Sequence, residues 1–78
     1  MKKVFCIYDR VAGVYNPPFV AENEATAKRS FDSALSKSPF ANDMSLYYLG
    51  TYNDDTDGTI EACKPVFVCN FEEKAGVN

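Results

Sequence analysis

The chain has no histidine, no tryptophan, only three cysteines, and four each of glycine and proline in 78 residues. Without histidine it lacks the commonest general base, the usual activator of a serine or cysteine nucleophile, and the imidazole ligand of many zinc sites. The cysteines, Cys6, Cys63 and Cys69, are odd in number and form no C-x-x-C pair. That argues against a disulfide framework and fits small buried hydrophobes in a reducing compartment. Neither a phosphate-cradling glycine loop nor a dinucleotide fingerprint is present, and the carboxylates show no spacing that implies a paired acid and base. Nothing approaches the roughly 18 apolar residues of a membrane span. The apolar run Val4–Tyr8 behind Lys2 and Lys3 is too short for a signal-peptide core. The expectation is a cytoplasmic protein that is not an enzyme, with no cofactor, no metal and no membrane.

The length is that of one small domain, 1–78, burying only about 60% of its unfolded surface. Oligomerisation is one way for so small a fold to gain support. Eleven aromatic side chains, five Tyr and six Phe, supply large burial per residue. The net charge of −3 is uneven: residues 1–40 carry six basic and four acidic side chains, and residues 41–78 two basic and seven acidic. An acidic total argues against sequence-blind binding to a duplex backbone, which needs many Lys and Arg contacts, but leaves room for a local basic face on the first half.

Lys3–Tyr8 is apolar on both sides of the pleat, with Phe5 and Ile7 against Val4, Cys6 and Tyr8, as expected of a central strand. A loop or long hairpin turn follows, with Gly13 free to take positive φ. Pro17 and Pro18 suit a strand start or edge, before a short strand Phe19–Ala21. Asn23 is a good helix N-cap, and Ala27, Phe31, Ala34 and Leu35 form one apolar stripe. Pro39 predicts a stop near Ser38, for a helix of about 14 residues. In Ser45–Tyr52, strict alternation puts Leu46, Tyr48, Gly50 and Tyr52 on one face and Tyr47, Leu49 and Thr51 on the other. Asp57-Gly58 marks a hairpin, with Thr59–Ala62 pairing back and Pro65–Phe71 as a further strand. Residues 71–78 read as a frayed tail.

Two clusters bear on function. Asn53, Asp55, Asp57, Gly58 and Ile60 fit positions of a calcium loop, but position 12, which needs a bidentate Glu, is Lys64, and the flanks read as strands. An acidic hairpin loop is the better reading. The second cluster is aromatic: Tyr8, Tyr15, Tyr47, Tyr48 and Tyr52 lie near Lys2, Lys3, Arg10, Lys28 and Arg29 in sequence. Single strands are bound by stacking bases on such rings beside basic groups. The same aromatics serve equally as core or dimer interface, and Tyr47 and Tyr48 cannot share a face.

The ordered set Lys3–Asp9, Pro18-Phe19, Asn23, Ala27, Arg29, Phe31, Ser38-Pro39-Phe40, Asp43 and Leu46–Tyr52 with its Asp-rich turn resembles the small non-structural proteins of gokushovirus-like microviruses, phages with single-stranded DNA genomes. The resemblance covers roughly residues 3–60. It implies a role in viral DNA replication or genome handling in the bacterial host cytoplasm, by binding single-stranded DNA, and no enzymatic activity. The expected fold is α+β, a mostly antiparallel sheet of four or five strands with one helix on one face and a homodimer through the other. The candidate DNA-binding residues are Lys2, Lys3, Arg10, Lys28 and Arg29 for phosphates and Tyr8, Tyr15 and Tyr48 for stacking. The alternative is a protein-interaction module engaging a replication or host protein, supported by the acidic second half.

Overall fold

The computed structural model describes residues 1–72. Strand β1 (Lys2–Asp9) runs through the middle of the sheet, as its two-sided pattern requires: Val4, Phe5 and Cys6 are consecutive and all buried. One side of β1 pairs antiparallel with β4 (Met44–Tyr52), and β5 (Ile60–Asn70) pairs antiparallel beyond it. The other side pairs with two short strands, β2 (Val14–Tyr15) and β3 (Phe19–Ala21). The result is a five-stranded antiparallel sheet of order β2-β1-β4-β5, with β3 sharing the β2 edge. Pro17 and Pro18 fall between β2 and β3, at an edge where a missing N–H breaks no ladder. The Asn16 amide still reaches the Ile7 carbonyl at 2.8 Å.

Helix α1 (Glu24–Leu35) begins at a closed capping box. Asn23 Oδ1 accepts from the Thr26 amide at 2.9 Å, while Thr26 Oγ1 accepts from the Asn23 amide at 3.1 Å. The helix ends at Leu35, short of the expected Ser38, with Ser36 as its C-cap. Ala27, Phe31 and Leu35 are buried; Ala34 is exposed, because the buried arc of the helix swings toward Phe31 and Leu35 and leaves Ala34 just outside it. These three residues pack on Phe5, Leu46 and Ala41, the last in a 3-10 turn (Ala41–Asp43) ahead of β4. Phe71, placed by sequence at the start of a frayed tail, joins this core: its amide bonds the Met44 carbonyl at 3.0 Å and its ring meets Phe31 edge-on at 6.1 Å. Residues 73–78 of that expected tail lie outside the described residues.

Two sequence expectations fail at bulges. Leu46 and Tyr48 stand opposite Ile7 and Phe5 on the helix-covered face, but the pairing then skips Leu49, so Gly50 stands opposite Val4 and Tyr52 opposite Lys2. Gly50 and Tyr52 therefore belong to the helix-free face, and the strict alternation of β4 is overturned. The expected strands Thr59–Ala62 and Pro65–Phe71 are a single strand, β5, because Cys63, Lys64 and Pro65 bulge out between two paired stretches. Pro65 is tolerated there since the far side of β5 has no neighbouring strand among the described residues. The cysteines also divide. Cys6 is buried, Cys69 is half-buried and Cys63 is exposed, so the expectation of three buried thiols holds for Cys6 alone. Burial pushes the Cys6 and Cys69 thiols up.

Gly50 has φ +149°, and a Cβ there would lie 2.2 Å from the Glu61 carbonyl oxygen and 2.9 Å from Ala62 Cα. Both clashes are with backbone, so β5 would have to move away from β4. Gly50→Ala is expected to cost about 2–4 kcal/mol and lower Tm by roughly 10–25 °C in thermal unfolding; an unchanged Tm would overturn this close approach. Thiol labelling checks the cysteine placement: a disulfide reagent should modify Cys63 at once and Cys6 only on unfolding.

Candidate nucleic-acid interface

Once the helix covers Phe5, Ile7 and Leu46, the pleat sends Val4, Cys6 and Tyr8 to the opposite face. The register brings partners to them. Tyr15 stands opposite Tyr8, and Tyr47 stands opposite Cys6 with Phe67 beyond it. The outcome is a short row of rings crossing the sheet from β2 to β5, in which Tyr15, Tyr8 and Tyr47 form a compact triangle and Phe67 extends it. Centroids are 4.3 Å apart for Tyr15–Tyr8, 5.7 Å for Tyr8–Tyr47, 5.6 Å for Tyr15–Tyr47 and 5.8 Å for Tyr47–Phe67. The last three contacts are edge-to-face, the arrangement that aromatic quadrupoles favour. Tyr15 and Phe67, at the ends of the row, are 49% and 54% exposed, so broad ring surface stays accessible. Lost hydration, with the neighbouring Tyr47 and Tyr8 phenols adding to it, pushes the Tyr15 phenol above its ordinary value.

Tyr8 and Tyr15 of the sequence-derived candidates meet here; Tyr48 does not. It lies on the helix-covered face, edge-on to Phe5 at 5.6 Å, with its hydroxyl 3.0 Å from Thr51 Oγ1. Tyr47 takes its place in the row. The signal for that was present in sequence: if Leu46 faces the helix, Tyr47 must face away. Phe67 could not be placed without the β4–β5 register, which a bulge shifts.

The candidate cations do not gather. Lys2, at the far end of β1, is engaged by Glu22 and lies 3.6 Å from Asp54. Lys3 shares the helix side of the sheet with Tyr48, its Nζ 5.9 Å from that ring's centroid. Lys28 pairs with Glu24 at 3.3 Å, and it and Arg29 sit exposed on α1, with the sheet between them and the row. Only Arg10 is beside the aromatic row. Its guanidinium donates to Ser45 Oγ at 2.6 Å, Asn70 Oδ1 at 2.8 Å and the Met44 carbonyl at 3.2 Å, and also to the Asn42 carbonyl. Ser45 stands opposite Tyr8, so this cation closes the end of the ring-bearing face.

The acidic loop makes no cation cage. Asp57 accepts from the Thr59 amide at 3.2 Å and its hydroxyl at 2.8 Å, which holds its carboxyl below the usual range. Asn53 donates to Thr59 and Glu61, while Asp54 and Asp55 turn to the Met1 ammonium at 3.1 and 2.8 Å. Among the described residues no three thiol or carboxylate groups converge as metal ligands. No described helix is long and apolar enough to cross a membrane.

Arg10 ties the β1–β2 turn to the start of β4 and the end of β5, and it covers Ser45, which is 1% exposed. Arg10→Ala is expected to cost about 1–3 kcal/mol and lower Tm by roughly 5–20 °C, with Arg10→Lys recovering only part because a single ammonium cannot span four acceptors. Equal Tm for the wild type and Arg10→Ala would refute the clamp.

No curated protein and no solved structure matches the chain. The model of the family described as phage ORF5 protein matches residues 2–74, nearly the whole chain and in keeping with the resemblance to small microvirus proteins. The chain belongs to the phage ORF5 protein family.

Proposed function

We propose that this phage protein binds single-stranded DNA on the helix-free face of its sheet and acts in viral DNA replication or genome handling, as a binding protein with no catalytic step. The observation that carries the reading is the row Tyr15–Tyr8–Tyr47–Phe67. An antiparallel sheet with one face packed on a helix normally turns polar side chains to solvent on the other. Here the second face is aromatic, and stacked bases are ligands that such rings accept whatever their sequence. Lys28 and Arg29, across the sheet, are left out of the site.

The other end of the same face is apolar. Val4, Pro18, Phe19, Val20, Tyr52 and Ile60 line a shallow hollow of about 170 Å³ with little polar surface. This end supports the homodimer as a second part of the proposal, since a second copy seated there leaves the aromatic row free.

Fluorescence anisotropy of a labelled single-stranded oligonucleotide, with duplex as competitor, tests the reading. Saturable binding that prefers single strands is expected. Phe67→Ala and Tyr15→Ala, both at exposed positions, should each weaken it by about 1–3 kcal/mol, roughly 5- to 150-fold. Lys28→Ala with Arg29→Ala should leave it within about twofold, because surface charges on the far side contribute little. Absence of binding at low salt would refute the reading and turn attention to a protein partner on the same face.

A further inference from the structure

Resting on that reading, we infer that recognition on this face is led by ring stacking and neutral hydrogen bonds rather than by charge, so that the ligand is the unpaired base and affinity barely responds to salt. Three observations lead there. First, the cation beside the row is Arg10, and its donors are already directed at four neutral oxygens of Asn42, Met44, Ser45 and Asn70. Lys2 and Lys28 are held by carboxylates elsewhere, Lys3 and Arg29 lie on the helix side, Lys37 follows α1, and Lys64 stands exposed in the β5 bulge three residues before Phe67. Binding therefore displaces the counterions of about one or two phosphates, at Arg10 and Lys64, where an electrostatic groove displaces those of several.

Second, the row offers four rings, and every base has a π-face. Third, the row has polar tips. The hydroxyls of Tyr8, Tyr15 and Tyr47 make no hydrogen bond among the described residues, whereas that of Tyr48 meets Thr51. A dry interface with a second copy would bury these three hydroxyls, and buried hydroxyls need partners. A single strand brings acceptors to them on phosphate, sugar and base edges. The hollow at the other end of the face has one such hydroxyl, that of Tyr52, against three in the row.

The deciding experiment uses the wild-type protein with two 20-residue oligonucleotides, one of mixed sequence and one abasic, the same backbone without bases, each titrated at 50 and 200 mM NaCl. With one or two phosphates neutralised, the mixed strand should lose about three- to sevenfold in affinity over that range, and the abasic strand should bind at least about tenfold more weakly. A loss near fiftyfold, the expectation for about four neutralised phosphates, with the abasic strand bound as well as the mixed one, would overturn the inference while leaving single-strand binding intact. No binding of the mixed strand at 50 mM would overturn both. Neither readout depends on a variant that must fold.

Discussion

The pairing of β1 with β4 is the constraint on which the rest depends. β1 and β4 are the two strands with neighbours along both sides, and their register decides which side chains can meet the helix. Up to Tyr48 the two strands run in step, so Phe5, Ile7, Leu46 and Tyr48 share the helix face and Cys6, Tyr8 and Tyr47 share the other. Then Leu49 drops out of the pairing and the faces of β4 exchange. That single extra residue moves Gly50 and Tyr52 to the face of Val4. It also brings the β5 backbone so close that only a residue without Cβ fits at Gly50. The bulge gives one strand two jobs: aromatic platform at its first half, and lining of an apolar hollow at its second.

Both faces of the sheet are thus apolar in a domain too small to cover both. One helix of 12 residues shields Phe5, Leu46 and their neighbours. Cys6 and Val4 are nonetheless 1% and 7% exposed on the uncovered side. Their cover comes from neighbouring side chains of the sheet itself, with the rings of Tyr8 and Tyr47 flanking Cys6 and with Val20 and Tyr52 near Val4. The aromatic row is therefore structural whatever it binds. It roofs a half-core that has no second layer among the described residues, and the outer surfaces of the same rings remain exposed. This dual use explains why the end members, Tyr15 and Phe67, are the better probes of binding: they are half exposed, whereas Tyr8 and Tyr47 are tied into the roof.

The fold was legible where local chemistry dictates it. The two-sided pattern of Lys3–Tyr8, the Asn23 cap, the Ala27–Phe31–Leu35 stripe and the positive φ of Gly13 and Gly58 all follow from short-range rules. What was not legible depends on register. Alternation is reliable only between bulges, and the chain has bulges at Leu49, at Val68 and at Cys63–Pro65. Hence alternation alone puts Tyr52 on the wrong face, splits β5 in two and cannot place Phe67. The candidate site suffered in a second way. Basic residues were grouped by closeness in sequence, but Lys28 and Arg29 belong to a helix across the sheet from Tyr8, and Lys2 belongs to the opposite end of β1 from Arg10.

That last separation bears on how, in the proposed reading, an acidic protein would hold a polyanion. The carboxylates of Asp54, Asp55 and Asp57 lie in the β4–β5 loop, at the end of the sheet where Lys2 pairs with Tyr52. The row lies toward the other end, where Tyr8 pairs with Ser45 and Arg10 closes the face. Six residues of extended strand separate Lys2 from Tyr8, about 20 Å, more than twice the roughly 8 Å Debye length at physiological salt. At that distance the loop's charge is largely screened from a phosphate beside the rings. Met1 and Lys2 also neutralise part of it locally. The net charge of −3 therefore says little about the potential at the row, which is set by the nearby Arg10 guanidinium, by Asp9 and Asp43 next to it in the fold, by Lys64 and by the neutral rings. A site of that composition gains from removing the electrostatic term rather than from winning it: stacking works at any salt, and repulsion from the acidic end is confined to the hairpin loop that carries it.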